Sequence, residues 1–145
     1  MQCNLLNKLN VSEQVAFLSH NFAPSSLRRN IAILGLLHKR VLGQCHRSFD
    51  ILPPWYSQRF ETARGFGHNK QLYGHWCEAD KHSALFDRSI FLMVDIYNNL
   101  PQYVVDASTV SNFQSFLTEM ARKRCQLGNA SWAKSFSRLH GLHFE

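Results

Sequence analysis

The sequence holds no apolar run long enough to cross a bilayer; the longest, Ile31 to Leu37, is short and contains Gly35. The N-terminal MQCNLLNKLNVSEQ has no apolar stretch of signal-peptide length. Four cysteines, Cys3, Cys45, Cys77 and Cys125, are widely spaced and form no C-x-x-C pair. Reduced thiols in an intracellular compartment, nuclear or cytoplasmic, are the simplest reading. There is no Asp-Asp pair, and Asp80, Asp87, Asp95 and Asp106 stand singly, so the paired carboxylates of two-metal chemistry are missing. No G-x-S-x-G motif occurs. Gly65-Phe66-Gly67 lacks a third glycine and a preceding strand, so it is neither a dinucleotide fingerprint nor a P-loop. These absences argue against an enzyme and against a bound cofactor.

What is present suits one folded unit. The 145 residues are 45% hydrophobic and include eleven Phe and three Trp, enough bulk for a core. A single helical domain over 1–145 is expected, with 1–25 the more loosely attached part. The formal net charge is +6, which shifts the odds toward acidic partners.

Helical spacing recurs along the chain. Asn10 and Glu13 form a capping-box-like pair before Val11, Val15, Leu18 and Phe22, and Pro24 is expected to end that helix. Ser25 or Ser26 would cap the next, where Leu27, Ile31, Leu34, Val41 and Leu42 follow one face, with Leu37 and His38 between them. Ile33 and Leu36 widen the stripe, which predicts a central helix ending at Gly43. Gly35, in mid-helix, is expected where a neighbouring helix comes close, because glycine there otherwise costs about 1 kcal/mol. Pro53-Pro54 breaks the pattern, and residues 53–82 read as a long irregular connection. A helix resumes near Ser83 with Leu85, Phe86, Ile90, Met93, Val94 and Tyr97 on one face, stopped by Leu100-Pro101. Tyr103-Val104-Val105 reads as a short extended link. The last long helix starts near Ser108 or Thr109, shows Val110, Phe113, Leu117 and Met120 as its stripe, and ends before Gly128. Trp132, Phe136 and Leu139 add a final amphipathic turn or two. The expected fold is all-α, an irregular bundle of four or five helices.

Four kinds of site were weighed. His68, His75, Cys77, Asp80 and His82 are all ligand types, but only His75-x-Cys77 is tight and no second pair follows, so no metal is expected. Cys45 beside His46, or Cys77, would be a nucleophile only with an aligned base and an oxyanion hole, and neither is visible. The glycine turn at 65–67 offers no phosphate cradle. The remaining candidate is a basic surface of Arg28, Arg29, Lys39, Arg40, Arg47, Arg122, Lys123 and Arg124. If the two helices that carry most of it pack side by side, these groups would neutralise phosphates of RNA or DNA without reading bases. The competing reading is a solvated face with cations at helix C-termini, where the helix dipole favours them.

The stretch from Arg29 through Ile31-Ala32-Ile33-Leu34-Gly35-Leu36-Leu37-His38-Lys39-Arg40 to Gly43 resembles a segment near the C-terminus of endonuclease–reverse transcriptase polyproteins of non-LTR, LINE-like retrotransposons. Gly67-His68-Asn69-Lys70-Gln71-Leu72, Ser89-Ile90-Phe91, Tyr97-Asn98-x-Leu100-Pro101 and Val110-Ser111-x-Phe113-Gln114 follow in the same order as in such tails, over about residues 26 to 137. The resemblance implies a segment downstream of a polymerase core, an RNA-directed DNA polymerase. That family's Tyr/Phe-x-Asp-Asp motif and its Cys-x-x-x-Cys…His…Cys knuckle have no match here. The fragment would be non-catalytic, with nucleic acid and the missing core as partners. The alternative is a small helical protein-interaction module with no nucleic-acid role.

Overall fold

The structure is a computed structural model that describes residues 2–46, 68–72, 90 and 92–137. These residues form an all-α fold: α1 (Gln2–Lys8), α2 (Glu13–His20), α3 (Ser25–Val41), α4 (Leu92–Asn98), α5 (Gln102–Val105) and α6 (Val110–Gln126), then a 3-10 turn over Trp132–Lys134. The Pro53-Pro54 break and most of the irregular connection lie outside the described residues.

Helix ends follow local chemistry, not always as the sequence suggested. The Ser12 hydroxyl, not Asn10, caps α2 by accepting from the Val15 amide. Asn10 instead takes a left-handed conformation in the turn before it. Asn21, also left-handed, ends α2 three residues before Pro24. Pro24 is the N-cap of α3, and Ser25 and Ser26 are already helical. Proline suits that position because its fixed φ leads into the helix and its missing N–H leaves no orphan donor. Thr109 caps α6 as expected, and Gly43 and Gly128 take positive φ just beyond α3 and α6. α1 lacked a recognisable sequence pattern.

The segment read as extended, Tyr103-Val104-Val105, lies in α5, a single helical turn. Two β-branched residues favour extended backbone in isolation. Here the turn after Pro101 places both Val104 and Val105 fully inside the core, and tertiary burial outweighs propensity.

α3 is the central helix. Its buried face is Leu27, Asn30, Ile31, Leu34, Gly35, Leu37 and His38, while Val41 and Leu42 are only partly covered. α6 packs against it through Phe113, Leu117, Ala121 and Cys125. The two helices run antiparallel. His38, near the end of α3, stacks on Phe113 at the start of α6, with centroids 4.1 Å apart. At the opposite end, the Asn30 side-chain amide donates to the Phe136 carbonyl, past the 3-10 turn that follows α6. Gly35 faces α6, where an added Cβ would lie 3.0 Å from Gln114 Cδ. The close neighbour is thus a side chain. The N-terminal part is anchored: Phe17 is fully buried and stacks on Trp132, with centroids 5.1 Å apart.

Candidate nucleic-acid interface and a buried histidine centre

The antiparallel pairing divides the basic residues between the two ends of the α3–α6 pair. Arg28 and Arg29, in the first turns of α3, share an end with Arg122, Lys123 and Arg124 in the last turns of α6. Lys39 and Arg40 lie about 15 Å further along α3, near the start of α6. Arg47 lies outside the described residues. The seven described candidates fall into two groups, one at each end of the α3–α6 pair.

Their surroundings differ. Arg28, Arg29, Lys39 and Lys123 are exposed. Arg28 holds its guanidinium 5.5 Å from the centroid of the Phe22 ring, a stacking that leaves the N–H edge able to donate. Arg122 serves the fold. Its guanidinium donates to the Leu18 carbonyl at 3.3 Å and to Asn21 Oδ1 at 3.2 Å, and lies 5.7 Å from the Phe17 ring centroid. That pins the end of α2, with its uncompensated carbonyls, to α6.

The densest polar arrangement is elsewhere and is buried. His38 Nε2 is 2.8 Å from the Ala107 carbonyl, which can only accept, so Nε2 carries the proton. Nδ1 then accepts from the Tyr97 hydroxyl at 3.0 Å. Burial pushes the His38 imidazole below the ordinary histidine value near 6.5, more than the Ala107 bond raises it. Burial also pushes the Tyr97 phenol well up. His68 repeats the pattern. Its Nε2 donates to the Tyr97 carbonyl at 2.9 Å, its Nδ1 accepts from the Lys70 amide at 3.0 Å, and its ring meets Tyr97 edge-on. Its imidazole is also held low, first by burial.

Residues 68–72 are fastened along α4 and α5 by further bonds. The Asn98 side chain donates to the Leu72 carbonyl and accepts from the Leu72 amide, both at 2.7 Å. Gln102 Oε1 accepts from the Asn69 amide at 3.1 Å, and Gln102 Nε2 donates to Asn69 Oδ1 at 2.9 Å. Lys70 Nζ donates to the Val105 carbonyl at 2.8 Å and sits 3.5 Å from Asp106.

No family model, no curated protein and no solved structure matches this chain.

Four of the segments that carried the sequence resemblance meet around this centre: His38 from the first, His68 to Leu72 from the second, Tyr97 and Asn98 from the fourth, Phe113 from the fifth. Their buried members are packing and hydrogen-bonding residues. Composition and spacing gave no signal for this, since the bonded partners lie 26 to 69 residues apart.

Of the weighed metal ligands, His68 has both ring nitrogens engaged by protein atoms. His75, Cys77, Asp80 and His82 lie outside the described residues, as do Gly65 and Gly67. Among the described residues no three His, Cys, Asp or Glu side chains gather where they could hold a metal ion. Cys45 is half-buried, with its Sγ 3.9 Å from the Leu36 carbonyl. Cys125 is buried, which pushes its thiol up and away from the reactive thiolate. No described helix is long and apolar enough to cross a membrane.

Proposed function

We propose that this chain is a non-catalytic helical module that contacts the phosphate backbone of RNA or DNA without reading sequence, as the tail of a retrotransposon reverse transcriptase would. The observation that carries the reading is the exposure of Arg28, Arg29 and Lys123 at one end of the α3–α6 pair, on a chain of formal net charge +6. Lysine and arginine at a surface release counterions when they meet phosphates, which gives weak, salt-dependent binding. Arg122 is set apart from the contact set because its guanidinium ties the end of α2 to α6 through Leu18 and Asn21.

Fluorescence anisotropy with labelled RNA and DNA over a salt series tests the reading. Dissociation constants on the order of micromolar to a tenth of millimolar are expected at physiological salt, alike for different sequences. The combined change Arg28→Gln, Arg29→Gln, Lys123→Gln should weaken every sequence equally and flatten the salt slope by up to about three units. Arg122→Gln should lower the melting temperature and leave the slope unchanged. No binding at tens of micromolar protein in low salt, or a slope that ignores the triple change, overturns the proposal.

A protein-interaction module is the second reading. It is favoured by the exposed edge-to-face pair Tyr103 and Phe116, and by Leu127 at 85% exposure beyond α6. Binding to another protein with no measurable nucleic-acid affinity would select it.

A further inference from the structure

His68 is the first residue of a described segment, 68–72, that is attached to α4 and α5 by several hydrogen bonds. Of its five residues, Leu72 supplies a buried aliphatic side chain, joining the core at 4% exposure. The His68 ring packs edge-on against Tyr97, and the remaining described contacts are polar: Asn69 to Gln102, Leu72 to Asn98, Lys70 to Val105 and Asp106, and His68 Nε2 to the Tyr97 carbonyl. Polar attachments in a partly wet setting open at lower free energy than a packed helical core.

Within this set His68 is used in its neutral form, which acid removes; the Lys70–Asp106 ion pair needs a carboxylate and is the other acid-sensitive member. Its Nε2–H donates to the Tyr97 carbonyl, and its bare Nδ1 accepts from the Lys70 amide. A second proton would have to sit on Nδ1, facing the Lys70 N–H. Donor would then oppose donor, and the bond would be replaced by repulsion. His38 differs. A proton on its Nδ1 would face the Tyr97 hydroxyl, whose oxygen can accept once the hydroxyl turns.

We propose that His68 is an acid-sensitive latch whose protonation releases residues 68–72 from α4 and α5 while the helical core stays folded.

The charges around His68 do not rescue the protonated form. Lys70 on the same segment and His38 on α3 disfavour it; Asp106, after α5, favours it. The Asp106 carboxylate is already shared between Lys70, at 3.5 Å, and Gln102, which donates to it at 2.8 Å. From α4, Tyr97 offers only the carbonyl that Nε2 already uses. Burial outweighs all of these and depresses the imidazole of the docked segment below the ordinary value near 6.5. The docked form therefore binds a proton less readily than the released form. Docking is fully favoured above about pH 6.5 and weakens as pH falls toward the depressed value, by up to about tenfold per pH unit.

Amide hydrogen exchange on the full chain at pH 7.5, 6.5 and 5.5, corrected for intrinsic rates, reads this directly. Protection of the Asn69 and Leu72 amides should fall as the solution is acidified, relative to Leu117 and Ala121 in α6. In His68→Gln the side-chain amide can still donate to the Tyr97 carbonyl but does not titrate, so the relative loss should vanish. A pH-independent ratio in the parent overturns the proposal. So does a loss that persists in His68→Gln, which would assign the titration to another group. If His68→Gln does not fold, the ring carbon shifts of His68 in the parent provide the second measurement. Their titration must coincide with the loss of Leu72 protection, and a separation of a pH unit or more overturns the latch.

Discussion

Tyr97 is fully buried and works from three sides at once. Its hydroxyl donates to His38, its carbonyl accepts from His68, and its ring lies 5.9 Å from the Phe113 centroid. The hydroxyl is the expensive part. Tyr97→Phe keeps the ring but strips His38 Nδ1 of its donor, and a buried acceptor left unpaired costs about 1–3 kcal/mol. The denaturant midpoint should fall accordingly, with the slope of the transition unchanged. Replacing His38 by Phe as well removes the stranded nitrogen but leaves the Ala107 carbonyl without its donor, so only part of the loss should return. A Tyr97→Phe protein as stable as the parent would show that the hydroxyl contributes nothing. In sequence, His38 is a polar residue on an apolar stripe, and its position was legible. Its role was not, because Tyr97 lies 59 residues on and Ala107 lies 69 residues on.

Between α3 and α6 the fit turns on Gly35 and Gln114. A Cβ at position 35 would meet Gln114 Cδ at 3.0 Å and Cγ at 3.1 Å, closer than ordinary contact. The Gln114 side chain is long, however, and borders an open polar groove of about 310 Å³ into which its amide could swing. Alanine itself would favour the helix by about 1 kcal/mol. Two effects of similar size therefore oppose each other in Gly35→Ala. They separate in a double-mutant cycle. In a Gln114→Ala background, Gly35→Ala should stabilise by about 1 kcal/mol, and the coupling between the sites should be on the order of 1 kcal/mol. Additive effects would remove close packing as the reason for the glycine. The elements themselves were readable to different degrees. α3 and α6 each run for 17 residues with a clear apolar period, and their existence followed from the pattern. α1 and α5 run for seven and four residues, too short for periodicity to speak, and α5 is specified by what its valines bury. The basic clusters were legible as clusters, but the antiparallel arrangement that separates them rests on contacts no local pattern encodes.

At the scale of the molecule, the first forty-odd residues are completed by the last described ones. Phe17 stacks on Trp132, the Gln14 amide donates to the Cys125 carbonyl 111 residues away, and Asn30 donates to the Phe136 carbonyl 106 residues away. A chain ended after Leu127 would keep every helix from α1 to α6 yet lose Trp132 and Phe136, which are 8% and 2% exposed. Removing two buried aromatics costs several kcal/mol, each roughly 3–5, against a typical total of about 5–15. Circular dichroism melting of that truncation should show a broad, non-cooperative transition, and a sharp one near the parent midpoint would contradict the clasp. The same clasp sets an order in time. A ribosome delivers α2 and α3 long before the residues that cover Phe17 and pair with Asn30, so those two positions wait uncovered. Contacts this remote along the chain form slowly, and aggregation competes during the wait. Emergence of Trp132 and Phe136 from the ribosome therefore completes the cover on Phe17 and the partner of Asn30.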